Sequence, residues 1–340
     1  MNIEPAQSSD SSVVSGVSGN VAIGYRLFEA ALGRIPDPVT LGYVAGLLDA
    51  GLGPEGLAQD FVASQEFAQR YGSLSNSAFV THLYETVLHR EPDSAGLAYA
   101  IARLDAGVSR ADVLLGFSES PENIAAVSAA TAGGIEYVPT VFGTAAADQF
   151  TVTHDTPIIE GGEGVDTATF AGAYSSYEVS AGSRTTVRAP DGGVYVLDSV
   201  ERLHFDDATV AVDTDADGHA GEVFRLYQAA FGRAPDLPGL IFQTHALDNG
   251  ETWAQVAANF LASPEFAAKF GNADSLDDTQ LLTLLHHNMT SDPDSFAIGV
   301  QLAQLQGGAS RGAILAEVCQ SYPVTVVGEL ALEHGIVIGP

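Results

Sequence analysis

Positive charge is scarce in this chain. Of its 340 residues 13 are Lys or Arg, with Lys269 the sole lysine, against 43 Asp or Glu, giving a formal net charge of -30. That balance excludes nucleic-acid binding, which needs clustered cations to displace counterions from phosphates. An anionic membrane surface would repel the chain for the same reason. Cysteine is almost missing as well: Cys319 stands alone, so an intramolecular disulfide cannot form, and its apolar setting AILAEVCQSY points to a buried thiol. No run approaches the roughly 18 apolar residues of a membrane span. The start, MNIEPAQSSDSSVVSGVSGN, lacks the basic stretch and apolar core of a Sec-type signal.

Catalytic signatures are absent too. The sequence holds no H-E-x-x-H, no G-x-S-x-G, no phosphate-binding P-loop and no dinucleotide fingerprint. His286 and His287 are adjacent and would point about 100° apart on a helix, which suits a shared metal badly. His82 and His89 could share a helical face but have no third ligand nearby. Asp206 and Asp207, the nearest thing to a glycosidase pair, would face opposite sides of a strand. The expectation is a soluble chain that is not an enzyme, and a cation is the partner its charge invites.

Hydrophobic residues make up 46% of the chain, enough for two or three domains with ordinary cores. Four copies of one helical unit account for much of them, starting at Leu27, Leu83, Leu226 and Leu284. Leu27, Phe28, Ala31 and Leu32 line one helical face, as do Leu83, Tyr84, Val87 and Leu88. A Pro-Asp step follows in every copy, and Asp37, Asp93, Asp236 and Asp294 are expected to cap the second helix. Gly51, Gly107, Gly250 and Gly308 then suit a left-handed helix end. Gly53, Ser109, Thr252 and Ser310 are expected as N-caps of a third helix, with Ser109/Asp112 and Thr252/Gln255 as capping boxes. Ser64, Ser120, Ser263 and Ser321 precede a further turn. Arg34, Arg90 and Arg233 lie three residues before the capping aspartate and are expected to pair with it or to bind carbonyls ending the first helix. The fourth copy has Ser291 there. Trp253 follows a cap and is expected to pack rather than stack on sugar.

The joint pattern, L-Y/F-x-x-x-L-x-R-x-P-D, then Tyr43, Tyr99 or Phe242, then L-D-x-G, then F-x-x-S-x-E-F, resembles the bacterial helical repeats classed as domain of unknown function (DUF) 4214. It covers roughly residues 20–125 and 220–323. That family is distantly similar to the linker domains of cyanobacterial light-harvesting antennae. The resemblance implies helical scaffolds in adhesion or assembly.

Between the two helical pairs the composition turns to Thr, Val, Tyr, Gly and Asp, with alternating runs around Pro190-Asp191-Gly192-Gly193. Within it Gly161-Gly162-Glu163-Gly164-Val165-Asp166 resembles the calcium-binding nonapeptide of RTX, or haemolysin-type, proteins. Gly143 to Phe150 places Asp148 two nine-residue rungs earlier, which would return a β-roll to the same side. Glycines would let the turns aim carbonyls inward while Asp148 and Asp166 supply carboxylates to Ca2+, a hard cation taking six to eight oxygens at about 2.3–2.6 Å. Alanines at 145–147 and the rung holding His154-Asp155 leave plain β-turns as the alternative. The stretch from Val200 to Asp206 resembles the strands that follow RTX nonapeptides. A second loop, Asp213-Thr214-Asp215-Ala216-Asp217-Gly218, matches the opening of an EF-hand, although Phe224 stands where the bidentate glutamate belongs. Its alternative is an acidic lead-in favoured by a helix dipole.

The sequence thus predicts an α+β multidomain protein. A tail over 1–20 is followed by a helical pair over 21–130 and a small β-rich domain, partial β-roll or sandwich-like, over 135–213. A second helical pair over 214–323 precedes a C-terminal tail over 324–340 that is the candidate secretion signal. The expected ligands are calcium at Gly143, Asp148, Gly161, Gly162, Gly164, Asp166, Asp213, Asp215 and Asp217. The expected role is non-enzymatic, extracellular and calcium-dependent, in surface attachment, matrix or assembly of a Gram-negative bacterium, with export by type I secretion. Partners would be the chain itself, other surface proteins or extracellular polysaccharide. A glycan-binding module is the alternative, and a polysaccharide-active enzyme the weakest reading.

Overall fold

The computed structural model describes residues 12–14, 19–153, 156–182, 184–214, 218–321 and 333–339. Asp215 and Asp217, and residues 324–332 of the candidate secretion signal, lie outside the described residues. Helices between 20 and 130 and between 219 and 320 flank a central β region over 135–211, the α+β layout expected. The chain forms two compact units, the first of residues 1–143, 152–160 and 191–196 and the second of the remainder.

In the first unit β1 (Ser12–Val14) pairs antiparallel with β2 (Ile135–Tyr137). Between them run α1 (Asn20–Leu32), α2 (Pro38–Asp49), α3 (Gly53–Ala63), α4 (Gln65–Tyr71), α5 (Asn76–Thr86), α6 (Ser94–Asp105), α7 (Arg110–Ser118) and α8 (Pro121–Ala130). Their core is the predicted set of faces: Leu27, Phe28, Ala31, Leu32, Leu83, Tyr84 and Val87 are all buried. After β2 comes β3 (Thr140–Phe142) and, after β4 (Gln149–Thr151) of the other unit, β5 (Ile158–Glu160), which lies parallel to β3 with Thr140 opposite Ile158. This strand pair sits close on α2, where a Cβ at Gly42 would fall 1.5 Å from the Val138 carbonyl oxygen. Only a residue without a side chain allows that approach.

The second unit holds β6 (Thr167–Thr169), β7 (Glu178–Ser180), β8 (Thr185–Arg188), the end of β9 (Val194–Asp198), β10 (Arg202–His204) and β11 (Thr209–Ala211). Helices α9 (His219–Phe231), α10 (Leu237–Asp248), α11 (Trp253–Leu261), α12 (Pro264–Phe270), α13 (Asp278–Met289), α14 (Ser295–Gln306) and α15 (Arg311–Gln320) follow, then β12 (Ile336–Gly339). One five-stranded mixed sheet runs β12-β11-β10-β6-β4, with β4, β6 and β10 parallel. The last described residues of the C-terminal tail are therefore built into a sheet, antiparallel to β11. Phe170, Tyr174 and Tyr177 each pack ring on ring against Phe205 in this unit.

The capping chemistry follows the sequence with exceptions. Asp37, Asp93, Asp236 and Asp294 accept hydrogen bonds from the amides of Thr40, Gly96, Gly239 and Phe296. Gly51, Gly107, Gly250 and Gly308 all have positive φ, between 89° and 99°. Thr252 and Gln255 form a reciprocal capping box, whereas Ser109 caps α7 without a return bond from Asp112. Gly53 is no N-cap: Leu52 holds that position and Gly53 is the first helical residue, at φ +76°. Ser321 is the C-cap of α15, and residues 322–332, where a further turn was expected, lie outside the described residues. Trp253 packs half-buried against the second core, and Cys319 is fully buried there.

The recurrent arginines find a different partner from the one expected. Arg34, Arg90 and Arg233 each form a two-pronged ion pair with a glutamate 32 residues on, Glu66, Glu122 and Glu265. Each guanidinium also lies over the aromatic that opens its own repeat, Phe28, Tyr84 and Tyr227, at 4.7, 4.8 and 5.0 Å. The capping aspartate is a secondary contact at 3.6 Å for Arg90 and 3.4 Å for Arg233. Carbonyls ending the first helix are held by other cations, Arg70 on Leu32 and Lys269 on Phe231. A fork-shaped guanidinium prefers a carboxylate it can grip twice over one it meets edge-on, which explains the choice.

Candidate functional site

Strands β3, β4, β5 and β6 begin at 140, 149, 158 and 167, one every nine residues. Alternate members pair parallel and in register: Thr140 with Ile158, and Gln149 with Thr167. Two rungs thus bring the chain back to the same side, as the 18-residue spacing of Asp148 and Asp166 implied. In the second unit the turn over 161–166 stacks on the turn over 144–148. A Cβ on Gly162 would lie 2.2 Å from the Thr144 carbonyl oxygen, and one on Gly164 would lie 2.8 Å from the Ala146 carbonyl carbon. Both glycines also have φ beyond +100°. Close approach and left-handed backbone together require glycine at these two positions.

The carboxylates run through this stack as a ladder. Thr144 donates to Asp148 Oδ2 from its amide at 2.6 Å and its hydroxyl at 2.8 Å. The Asp148 amide donates to Asp166 Oδ1 at 2.7 Å. The Asp166 amide in turn donates to Glu201 Oε2 at 2.7 Å. Asp166 is fully buried, and its Oδ2 has no hydrogen-bond partner among the described residues. A Cβ on Gly161 would stand 2.5 Å from that oxygen and 1.8 Å from the Ser199 carbonyl oxygen. Gly143 donates its amide to the Glu160 carbonyl, a contact inside the first unit.

Burial raises the pKa of Asp166, and the neighbouring Asp148 charge adds to it. Burial likewise raises Glu201, with the charges of Asp166 and Asp213 adding to the effect. Arg202 opposes the shift of Glu201 only in part, and burial wins at both carboxyls. An orphaned buried carboxylate oxygen beside a carbonyl, in a cradle that a side chain would fill, fits a hard cation with oxygen ligands. Among the described residues no three His, Cys, Asp or Glu side chains converge as a metal site, so such an ion would draw partly on backbone carbonyls.

Asp213 is held differently. Its Oδ1 lies 2.5 Å from Arg202 Nη1, while Arg202 grips Asp248 with its other nitrogens and His219 Nδ1 sits 2.8 Å from Asp248. Burial raises the Asp213 pKa against the pull of Arg202. The Asp248 hydrogen bond raises that of His219. Asp213 therefore already has a cation beside it, although its buried Oδ2 has no hydrogen-bond partner among the described residues. A cavity of about 270 Å³ opens between these groups, lined by Gly164, Val165, Ser199, Glu201, Asp213 and His219 among others.

Sequence reasoning missed Glu201 and Arg202. The signal was the acid directly before a strand: Asp148 precedes β4, Asp166 precedes β6 and Glu201 precedes β10. Elsewhere, His286 is buried against Gln301 while His287 is exposed, so the pair shares nothing. Asp207 accepts the Tyr174 amide in a turn.

A family model described as "Domain of unknown function (DUF4214)" matches residues 58–127 and 222–270, on either side of the β region. The matches cover about a third of the chain's 340 residues and fall in both helical pairs. No curated protein and no solved structure gives a significant match.

Proposed function

We propose that this chain is a non-enzymatic, calcium-dependent protein of the bacterial cell surface or surroundings, in which helical repeats attached to a calcium-stiffened stack of turns serve attachment or assembly. The observation that carries the reading is the stacked pair of turns, in register over 18 residues, where Gly162 and Gly164 bring the backbone against Thr144 and Ala146 and the Asp148 amide donates to the Asp166 carboxylate. Asp148 and Asp166 would be its carboxylate ligands, with turn carbonyls completing the shell. Calcium would bind the folded stack and not the unfolded chain, so it would stabilise by mass action, about 2.7 kcal/mol at a hundred times Kd. Export by type I secretion fits this reading, because a chain of net charge -30 is loosened by self-repulsion where calcium is scarce. Candidate partners are a second copy, other surface proteins or extracellular polysaccharide.

Thermal melting of the full chain in EDTA and in millimolar calcium tests the reading. A midpoint that rises with calcium is expected; an unchanged one removes calcium from the account. Loss of export on deleting the secretion system of a producing strain is the matching test of location. The glycan-binding alternative draws on Tyr99 and Phe242, which occupy equivalent repeat positions and are 67% and 70% exposed. Glycan binding that survives EDTA but disappears in a Tyr99→Ala, Phe242→Ala double variant would favour that alternative.

A further inference from the structure

The ladder of acids extends one tier beyond the nonapeptide. The contacts joining its tiers repeat: the Thr167 amide donates to the Asp148 carbonyl at 2.9 Å, and the Arg202 amide donates to the Asp166 carbonyl at 2.9 Å. Together with the two amide-to-carboxylate bonds of 2.7 Å, they place Glu201 against Asp166 as Asp166 is placed against Asp148. Strand β10 continues β4 and β6 in parallel register, Arg202 opposite Thr167. Glu201 is 35 residues from Asp166 and belongs to no nonapeptide. The third turn is also shorter, with Ser199 taking φ +51° so that Ser199, Val200 and Glu201 suffice.

Oxygens gather in the interval between the second and third tiers. Asp166 Oδ2 and the Ser199 carbonyl oxygen lie 2.5 and 1.8 Å from one point, hence at most 4.3 Å apart (1.8 plus 2.5 Å). Two ligands of one calcium, each at about 2.4 Å, can be separated by up to about 4.8 Å. Asp166 is fully buried, and this oxygen is its one without a donor among the described residues. The 270 Å³ cavity borders the same interval through Gly164, Val165, Ser199 and Glu201, leaving room for water in the shell. Asp213 also lines that cavity, but its charge is met by Arg202.

We propose a second divalent-cation site of the calcium class between the turn over 161–166 and the turn over 199–201, with Asp166 Oδ2, the Ser199 carbonyl and the Glu201 carboxylate as protein ligands. It rests on the calcium reading above and adds ligands that the nonapeptide pattern does not contain. Two carboxylates balance the ion's charge, and a mixed shell of carboxylate, carbonyl and water suits calcium better than the smaller, strictly octahedral magnesium.

The test is calorimetric titration of the full chain with calcium chloride, for the parent, Glu201→Gln, Glu201→Asp and Asp148→Asn, with circular dichroism in EDTA confirming that each is folded. Glutamine keeps an oxygen that can accept the Asp166 amide, so Glu201→Gln removes charge and little else. Glu201→Gln is expected to bind about one calcium fewer than the parent, Glu201→Asp to recover part of it, and Asp148→Asn to keep the site. Identical titrations for Glu201→Gln and the parent would overturn the second site, while leaving the calcium reading intact if Asp148→Asn has lost calcium. A parent that binds no calcium overturns both.

Discussion

Single residues in this fold are chosen in pairs that the repeats vary together. The Tyr84 and Tyr227 hydroxyls occupy the space where a Cβ on Gly96 or Gly239 would stand, 2.1 and 2.0 Å from the hydroxyl oxygen. In the first copy the aromatic is Phe28, with no hydroxyl, and the matching position is Thr40. Gly96→Ala should therefore cost about 1–3 kcal/mol through overpacking, and Tyr84→Phe in the same chain should restore much of it. Denaturant melts of the two single variants and the double variant check this; additive losses would refute the pairing. Cys319 belongs to the same scale. Burial pushes its thiol up to about 12, so the thiolate is scarce at neutral pH. A disulfide-exchange reagent should label it only at the rate of unfolding, and rapid native-state labelling would contradict its burial.

At the scale of elements, the arginine clamp ties the end of each first helix to the start of its fourth. Arg34, through its hydrogen bonds, holds the Glu66 carboxyl below its usual pKa. A depressed folded-state pKa gives stability that is present above the unfolded value and lost as pH falls through the folded one. Glu66→Gln should thus cost about 0.2–1 kcal/mol near neutral pH, the range for exposed pairs, and nothing once Glu66 is protonated in acid. Urea melts across that range check it, a constant difference being the adverse result. The turn stack offers a sharper contrast. Gly162→Ala meets the Thr144 carbonyl as well as an unfavourable φ, whereas Gly172→Ala, at φ +100°, meets nothing within 4 Å. The second should lose about 1 kcal/mol from backbone conformation alone, the first distinctly more. Equal losses in thermal melts would mean the turns do not stack.

For the whole molecule the governing quantity is the net charge of -30. In EDTA, monovalent salt should raise the melting midpoint by screening self-repulsion, since the Debye length falls from about 30 Å at 0.01 M to about 8 Å at 0.15 M. In saturating calcium the same salt series should give a shallower rise, because bound divalent ions have already neutralised the buried acids. Parallel salt dependences with and without calcium would indicate that the charge is spread over the surface and not concentrated in the turns.

The sequence by itself determined what is local. Helix faces, aspartate caps and left-handed glycines depend on neighbours a few residues away, so Asp37, Asp93, Asp236, Asp294 and Gly51 read correctly from spacing. The nine-residue rhythm was also legible, because period and register are one property in parallel strands. Tertiary structure decided the partners. Arg34 had an aspartate 3 residues away and a glutamate 32 residues away, and only packing of α1 against α4 made the distant one reachable in a two-pronged grip. Even there a trace existed, since the fourth copy lacks the arginine and the glutamate together. Glu201 left a fainter mark, one acid before one strand, because its relation to Asp166 depends on β10 lying parallel to β6. Asp213 showed the converse: its spacing suggested a calcium loop, and folding set Arg202 beside it. Spacing fixes which groups a turn can present, but the charge that meets them arrives from elsewhere in the chain.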